Sequence, residues 1–441
     1  MPTPALPLPD PLAIAPAAGP VSGTAPVPGS KSITNRALAL AALVDGPTVL
    51  SNALFADDTA RMTDCLRALG FFVDDEPARE QITVHGRGGA IPATRTAALF
   101  VGNSGTTARF VTPLAALGHG TFLLDGVARM RERPIGDLLD ALGALGVHAE
   151  SVAGNGCPPL RIVADGLHGG SCTIRADTSS QFLSGLLLAA PCAKGDETVI
   201  SVEGPLLSAP YITITVAMVR AFGGVIDVSD DGRTFHIPGN QTYRSPGTYA
   251  IEPDASSATY FWAAAAITGG TVRVPGIGRD ALQGDAAFVD VLSAMGCSVQ
   301  ISDDFLEVTG TGKLTGGTFD MNAISDTVMT LAAVAPFASS PTVIENIAHV
   351  RHKETDRITA TVTELRRLGV RVDERADGFT VYPCDAITPT EPVRTYDDHR
   401  MAMAFALIGL RVPGVQIADP SCVNKTFPDY FTRLRRLTGA E

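Results

Sequence analysis

Six times along the chain, at intervals of roughly 70 to 76 residues, a short polar turn runs straight into a helix-length stretch that is apolar on every side. The stretches open at Gly29 (GSKSITNRALALAAL), Asn103 (NSGTTARFVTPLAAL), Asp177 (DTSSQFLSGLLLAAP), Pro253 (PDASSATYFWAAAAI), Ile324 (ISDTVMTLAAVAPFA) and Tyr396 (YDDHRMAMAFALIGL). A surface helix would show one polar face, so the pattern predicts six helices buried on all sides. Their polar residues gather at the N-terminal ends. A helix N-terminus carries unpaired N–H groups and partial positive charge, so several pointing one way make an anion receptor.

Between these stretches a second element recurs, an amphipathic helix that ends in glycine and leads into a strand. It reads CLRALGFFV, LLDALGALGVHAE, AMVRAFGGVIDV, VDVLSAMGCSVQI and TELRRLGVRVDE, and FTRLRRLTG closes the chain. The glycine suits a left-handed cap before the strand. Short alternating segments follow as further strands: ITVHG, LRIVADG, TFHIPG, FLEVTG and FTVYP. Each unit is thus predicted as buried helix, strand, surface helix, strand, strand. The class is α/β, with three repeats per domain, the apolar helices enclosed by sheets and the surface helices outside. SPGTYAIEPD breaks the period near Pro246 to Pro253. The expected division is a mobile leader over 1–23, one domain over 30–248, and a second over 24–29 plus 249–441. The buried-helix N-termini are expected to face the gap between the domains.

A chain of 441 residues, 45% hydrophobic and 18% charged, suits two globular domains. Its formal charge of -12 argues against nucleic acid or an anionic membrane as partner, so an anionic substrate must be drawn by local Lys and Arg. Seven cysteines without paired spacing, and no CxxC, fit a reducing compartment and give no metal pattern. The first basic residue is Lys31, so the Pro/Ala-rich leader lacks the charged start of a secretory signal. No apolar run reaches membrane-spanning length. A cytoplasmic protein is expected, its partners small anions and the chain a monomer.

The polar turns carry the chemistry. PGSKSITNR places Lys31, Ser32 and Arg36 at the mouth of the first buried helix, which combines charge with directed donors suited to phosphate or carboxylate. It lacks the glycine before lysine that a Walker A loop needs. NSGTTAR puts Gly105 where a ligand can approach the backbone, and GVARMRERPI follows with Arg129, Arg131 and Arg133. Thr178 to Gln181 adds neutral donors. In the second half, Asp326 heads the fifth buried helix, a costly place for a carboxylate. RHKETDR concentrates Lys353, Glu354 and Arg357, YDDHR brings His399 and Arg400, and KTFPDY begins at Lys425.

In order and spacing, PGSKSITNR, NSGTTAR, ARMRERPIGDLLDAL, TSSQFL, the Asp326 segment, KETDR, DHRMAMA and KTFPDY resemble the 5-enolpyruvylshikimate-3-phosphate synthases over essentially the whole chain after the leader. The resemblance implies two inverse α/β barrels that close over substrates in an interdomain cleft. It implies transfer of the enolpyruvyl group of phosphoenolpyruvate to the 5-hydroxyl of shikimate 3-phosphate through a tetrahedral intermediate, with release of phosphate and no need of a metal or organic cofactor. It assigns shikimate 3-phosphate to Ser32, Arg36, Ser179, Ser180, Gln181, Ser208, Tyr211, Asp326 and Lys353, with His349 beside its phosphate. Phosphoenolpyruvate falls to Lys31, Gly105, Arg129, Gln181, Arg357, Arg400 and Lys425, with His399 next to Arg400. Lys31, Asp326 and Glu354 are the implied proton carriers, and glyphosate the implied competitor of phosphoenolpyruvate.

Two positions depart from the family pattern. His349 stands where many members carry Asn. Phe110 stands where a Pro often follows the NxGT turn, which leaves the orientation of Gly105 and Thr106 open. The UDP-N-acetylglucosamine enolpyruvyl transferases share fold and donor but carry a cysteine five residues before the RP dipeptide; here that dipeptide is Arg133–Pro134 and the position is Ala128. A non-catalytic phosphometabolite-binding domain would gain nothing from Asp326 and Glu354.

Overall fold

The computed structural model describes residues 8–93, 95–176 and 178–439. The six apolar stretches are helices: α1 (Lys31–Leu43), α3 (Gly105–Ala116), α5 (Ser180–Ala189), α7 (Ala255–Thr268), α9 (Val328–Val334) and α11 (His399–Gly409). Every residue of α3, α9 and α11 is buried, while α1 leaves only Ser32 and α5 only Gln181 partly accessible. A helix wrapped in apolar side chains finds no stable place except inside other layers.

The amphipathic elements form α2 (Asp57–Ala68), α4 (Gly136–Ala144), α6 (Pro210–Ala221), α8 (Phe288–Ala294), α10 (Arg357–Arg367) and α12 (Tyr430–Thr438). The glycines that end them, Gly70, Gly146, Gly223, Gly296, Gly369 and Gly439, all have φ between 66° and 105°. Only glycine adopts that turn without a Cβ penalty, which lets the chain reverse from surface helix into strand.

Two compact units emerge. The first runs from Gly29 to Ile251, and the second joins the described residues up to Pro28 to those from Glu252 onward. Both are α/β units of the inverse-barrel type. Each four-stranded sheet contains a parallel pair not anticipated above, because a strand enters each of α1, α3, α5, α7 and α9 as well as one leaving it. Thr96–Phe100, for example, enters α3 and pairs in parallel with His119–Asp125, which leaves it, and Leu160–Asp165 then pairs antiparallel. The entering strands lie at sheet edges and are short except for His168–Arg175, which opens on polar residues and glycines, so their apolar alternation is too brief to register as a period. The segment at the expected boundary is one of them: Thr248–Ala250 pairs in parallel with Val49–Ser51 of the first unit. Gly23–Thr24 likewise adds an edge to Thr271–Pro275 in the second.

The leader corrects an expectation. Residues 1–7 lie outside the described part, but from Leu12 onward the chain is packed rather than mobile. Leu12 and Ala13 pair antiparallel with Ile417 and Gln416, and Ile14 N–H donates to the Val415 carbonyl at 3.0 Å. Leu12, Ile14 and Val21 are buried in the core of the second unit. Proline and alanine dominate the composition of the leader, yet Leu12 and Ile14 pack on the sixth repeat, and Val21 N–H donates to the Thr268 hydroxyl at the end of α7.

Candidate active site

In the first unit the buried helices bring their heads together. Lys31 opens α1 with its Nζ 3.6 Å from Asp58 Oδ2, and Asp58 lies in the first turn of α2. The Thr107 hydroxyl of α3 donates to the Asp58 carbonyl at 3.2 Å. Gln181 Nε2 of α5 donates to the Thr106 hydroxyl at 3.2 Å, and Ser179 caps α5 by accepting from Gln181 N–H. Ser180 is buried behind them. The accessible polar groups at these heads, Ser32 and Gln181, are neutral donors beside Lys31 and three helix N-termini, a combination that favours an anion.

Arg36 sits deeper than its assignment suggests. It is 1% exposed and donates to the Thr215 hydroxyl (2.8 Å), the Ser32 carbonyl (2.9 Å), the Ser184 hydroxyl (3.2 Å) and the Tyr211 carbonyl (3.1 Å). All four acceptors are neutral. Burial lowers the guanidinium to about 10. Its charge is spread instead over the Phe110 ring at 5.1 Å and the Tyr211 ring at 5.8 Å. Phe110 is buried beneath Arg36 within α3, its aromatic face toward the cation. Ser208 lies close by with φ 50°, in the left-handed region that non-glycine residues enter at a cost of order 1–3 kcal/mol.

The loop of three arginines divides. Arg129 pairs with Glu132 at 2.8 Å and Arg131 with Asp125 at 2.6 Å, both at the surface. Arg133 turns inward and donates to the Asn103 carbonyl at 3.1 Å. A Cβ on Gly105 would lie 2.4 Å from Arg133 Nη2 and 3.0 Å from Arg109 Nη1, so glycine is what lets two guanidinium groups crowd the head of α3.

The second unit holds a dense charge network. Arg357, fully buried at the start of α10, donates to Asp398 Oδ2 (2.8 Å), Asp326 Oδ1 (3.0 Å) and Glu354 Oε2 (2.9 Å). Burial works against its charge, but Asp398, Glu354 and Asp326 more than offset it and hold the guanidinium protonated. Arg400 Nη2 reaches Asp326 Oδ2 at 2.8 Å, and Lys353 Nζ lies 3.8 Å from Asp326 Oδ1. Lys425 Nζ stands 3.2 Å from Glu354 Oε1. Asp398 also caps α11 by accepting from Arg400 N–H at 2.9 Å. Four cations face three carboxylates here, so the cluster can exchange its internal partners for the oxygens of an incoming anion.

His349 is buried near Lys353, and burial followed by that neighbouring cation lowers its imidazole to about 4, so it is a neutral ring near pH 7. His399 is completely buried with Nδ1 3.7 Å from Asp398 Oδ1. Among the described residues no group of three or more His, Cys, Asp or Glu side chains is placed to hold a metal ion, and no helix is long and apolar enough to cross a membrane.

Four participants escaped the motif reading. Asp58 and Asp398 look in sequence like ordinary acidic helix starts, and Arg109 like a helical surface charge. Asp285, buried near Asp326 and Arg400, follows no cue beyond being a carboxylate in an apolar neighbourhood.

Residues 16–434 match the family described as EPSP synthase (3-phosphoshikimate 1-carboxyvinyltransferase). A 3-phosphoshikimate 1-carboxyvinyltransferase of Nostoc punctiforme is 52% identical over 415 residues, covering 94% of this chain and 96% of that protein. One from Yersinia pseudotuberculosis is 49% identical over 419 residues, covering 95% and 96%. A solved EPSP synthase of Acinetobacter baumannii superposes with a TM-score of 0.79 at 25% identity, covering 96% and 97% of the two chains. The enolpyruvyl transferase NikO of Streptomyces tendae shares the fold, with a TM-score of 0.75 at 22% identity and 97% of each chain covered.

Proposed function

The chain belongs to the EPSP synthase family and carries out its reaction, enolpyruvyl transfer from phosphoenolpyruvate to shikimate 3-phosphate in aromatic amino-acid biosynthesis; on that premise we propose how its own residues perform it. The observation that carries the proposal is the Arg357 cluster, in which buried cations hold Asp326 and Glu354. Phosphoenolpyruvate, with a carboxylate and a phosphate, competes for Arg357, Arg400 and Lys425. A carboxylate that loses a cationic neighbour binds a proton more readily. Substrate binding thus converts Asp326 and Glu354 from salt-bridge partners into proton carriers at the moment they are needed. One proton leaves the 5-hydroxyl, another reaches the methylene carbon, and the tetrahedral intermediate then expels phosphate. Lys31 is the third candidate carrier.

Shikimate 3-phosphate is assigned to Ser32, Ser179, Ser180, Gln181 and Lys353, with Ser208 and Tyr211 shaping the wall on which Arg36 rests. Arg36 contributes chiefly by holding Ser32 and Tyr211, as its four neutral hydrogen bonds support. His349 offers the phosphate a neutral donor. Gly105 and Arg129 complete the phosphoenolpyruvate set. The acidic charge of -12 and seven free cysteines support a cytoplasmic monomer acting on small anions, with neither nucleic acid nor membrane as partner.

Asp326→Ala and Glu354→Gln are each expected to lower the turnover number at least about a hundredfold, the scale of a positioned proton carrier. Glu354→Gln should still bind shikimate 3-phosphate in a calorimeter. Full turnover in either variant would reduce that carboxylate to a structural partner.

Gly105→Ala brings a methyl group into the space of the Arg133 guanidinium. Glyphosate is expected to compete with phosphoenolpyruvate, and the variant should lose far more affinity for this longer inhibitor than for the substrate. Inhibition kinetics at varied phosphoenolpyruvate compare the two losses, and equal losses would contradict the assignment.

A further inference from the structure

Asp285 belongs to the short turn Gly284–Ala287, is 3% exposed, and accepts a hydrogen bond from the Ser256 hydroxyl in the first turn of α7. Its neighbour Gln283 clamps the turn to the same helix head. Gln283 Oε1 accepts from Ala255 N–H at 3.1 Å, and Nε2 donates to the Pro253 carbonyl at 2.7 Å. The turn also packs against Ser325–Thr327, which carries Asp326. The charged groups acting on Asp285 are Asp326 from that turn, Arg400 from α11 and Asp254 at the cap of α7. Tyr260, one turn along α7 from Ser256, sets its hydroxyl toward Arg400. An asparagine could accept the Ser256 hydrogen bond equally well, so the fold alone does not call for a buried acid here.

We propose that Asp285 is a positioning residue that acts through Asp326: buried in the turn packed against the one that carries Asp326, its charge sets how readily Asp326 accepts the proton of the substrate hydroxyl. Two like charges in one low-dielectric region do not ionise together cheaply, so their protons leave in two steps that belong to the pair. Asp326, bonded to Arg357 and Arg400, is the member that ionises first. Burial and then the Asp326 charge push Asp285 up to about 7, which brings the second step into the working range. Ionised Asp285 makes Asp326 a stronger base, and neutral Asp285 leaves it a weaker one. The inference rests on Asp326 being the proton acceptor of the reaction above.

The sign of the stability effect follows from linkage. Between the ordinary 3.8 and about 7, folded Asp285 keeps a proton that the unfolded chain has released, so its contribution to stability falls as pH rises through this window and is lowest above it. Asparagine carries no charge. Asp285→Asn is therefore expected to gain melting temperature relative to the parent protein, more at about pH 8 than at about pH 5. In an Asp326→Asn background this pH-dependent gain should shrink, because the like charge is gone. In kcat/KM, which reports groups of the free enzyme, the limb near pH 7 should disappear in Asp285→Asn. Ser256→Ala, which keeps the acid but removes its donor, should move that limb to higher pH.

A melting difference that is the same at both pH values, or unchanged by Asp326→Asn, overturns the inference, as does a limb unmoved in both variants. The melts need no turnover. Parent protein that converts the two substrates while the melts stay flat defeats only the Asp285–Asp326 link. Absent turnover with the expected melts defeats the reaction assigned above and supports the link.

Discussion

Arg357→Leu is expected to abolish turnover and to cost the second unit about 3 to 5 kcal/mol, the scale of breaking a buried ion pair from one side. Asp326, Glu354 and Asp398 all take hydrogen bonds from this one guanidinium, and all three are buried. Leucine would leave them facing each other with Lys353, Lys425 and Arg400 as remaining cations. Arg357→Lys should rescue little, since an ammonium cannot fork toward three carboxylates. Part of the lost stability should return on acidification, because a carboxylate deprived of its cation gains by protonation. Urea denaturation and steady-state assays measure both effects. A variant within about 1 kcal/mol of the parent, the ordinary range of an exposed pair, would show that the network is dispensable.

Lys31→Met is expected to remove turnover with much less effect on the thermal melt, the buried Asp58 losing one cation. The Lys31–Asp58 separation of 3.6 Å is too long for a strong hydrogen bond, and Asp58 keeps the favourable N-terminus of α2 without it. An incoming anion loses more. A charge-assisted contact is worth about 1.5 to 3 kcal/mol, or roughly ten- to a hundredfold in affinity before any effect on chemistry. Near-normal activity in this variant would remove Lys31 from the reaction, and a collapsed melt with normal activity per folded molecule would make it a structural residue.

How much could be read from the residues depended on whether the signal was local. The buried helices were legible because fully apolar stretches such as ALALAAL and AAAAI admit no surface placement, and their glycine-terminated partners because a left-handed cap is a one-residue requirement. Of the strands entering the buried helices, the one at Gly23–Thr24 was legible where the Pro/Ala-rich leader gives way, whereas Thr248–Ala250 gains its identity only from a distant partner strand. The leader misled for a related reason: average composition hides Leu12, Ile14 and Val21, each placed for a particular contact. At the site, lysines and arginines in polar turns could be found because those turns lie at helix starts. That Arg133 turns inward while Arg131 stays at the surface, or that Phe110 lies under Arg36, depends on side-chain directions that no spacing encodes. Asp285 and Asp398 gain their meaning only from the cations and carboxylates around them.

Enolpyruvyl transfer between two anions is tested most directly by measuring inorganic phosphate released by the purified chain. Shikimate 3-phosphate and phosphoenolpyruvate together should yield one phosphate per product bearing an enolpyruvyl ether at the 5-oxygen, and neither should yield phosphate alone. Release from phosphoenolpyruvate without shikimate 3-phosphate, or none with both present at saturation, would contradict the account.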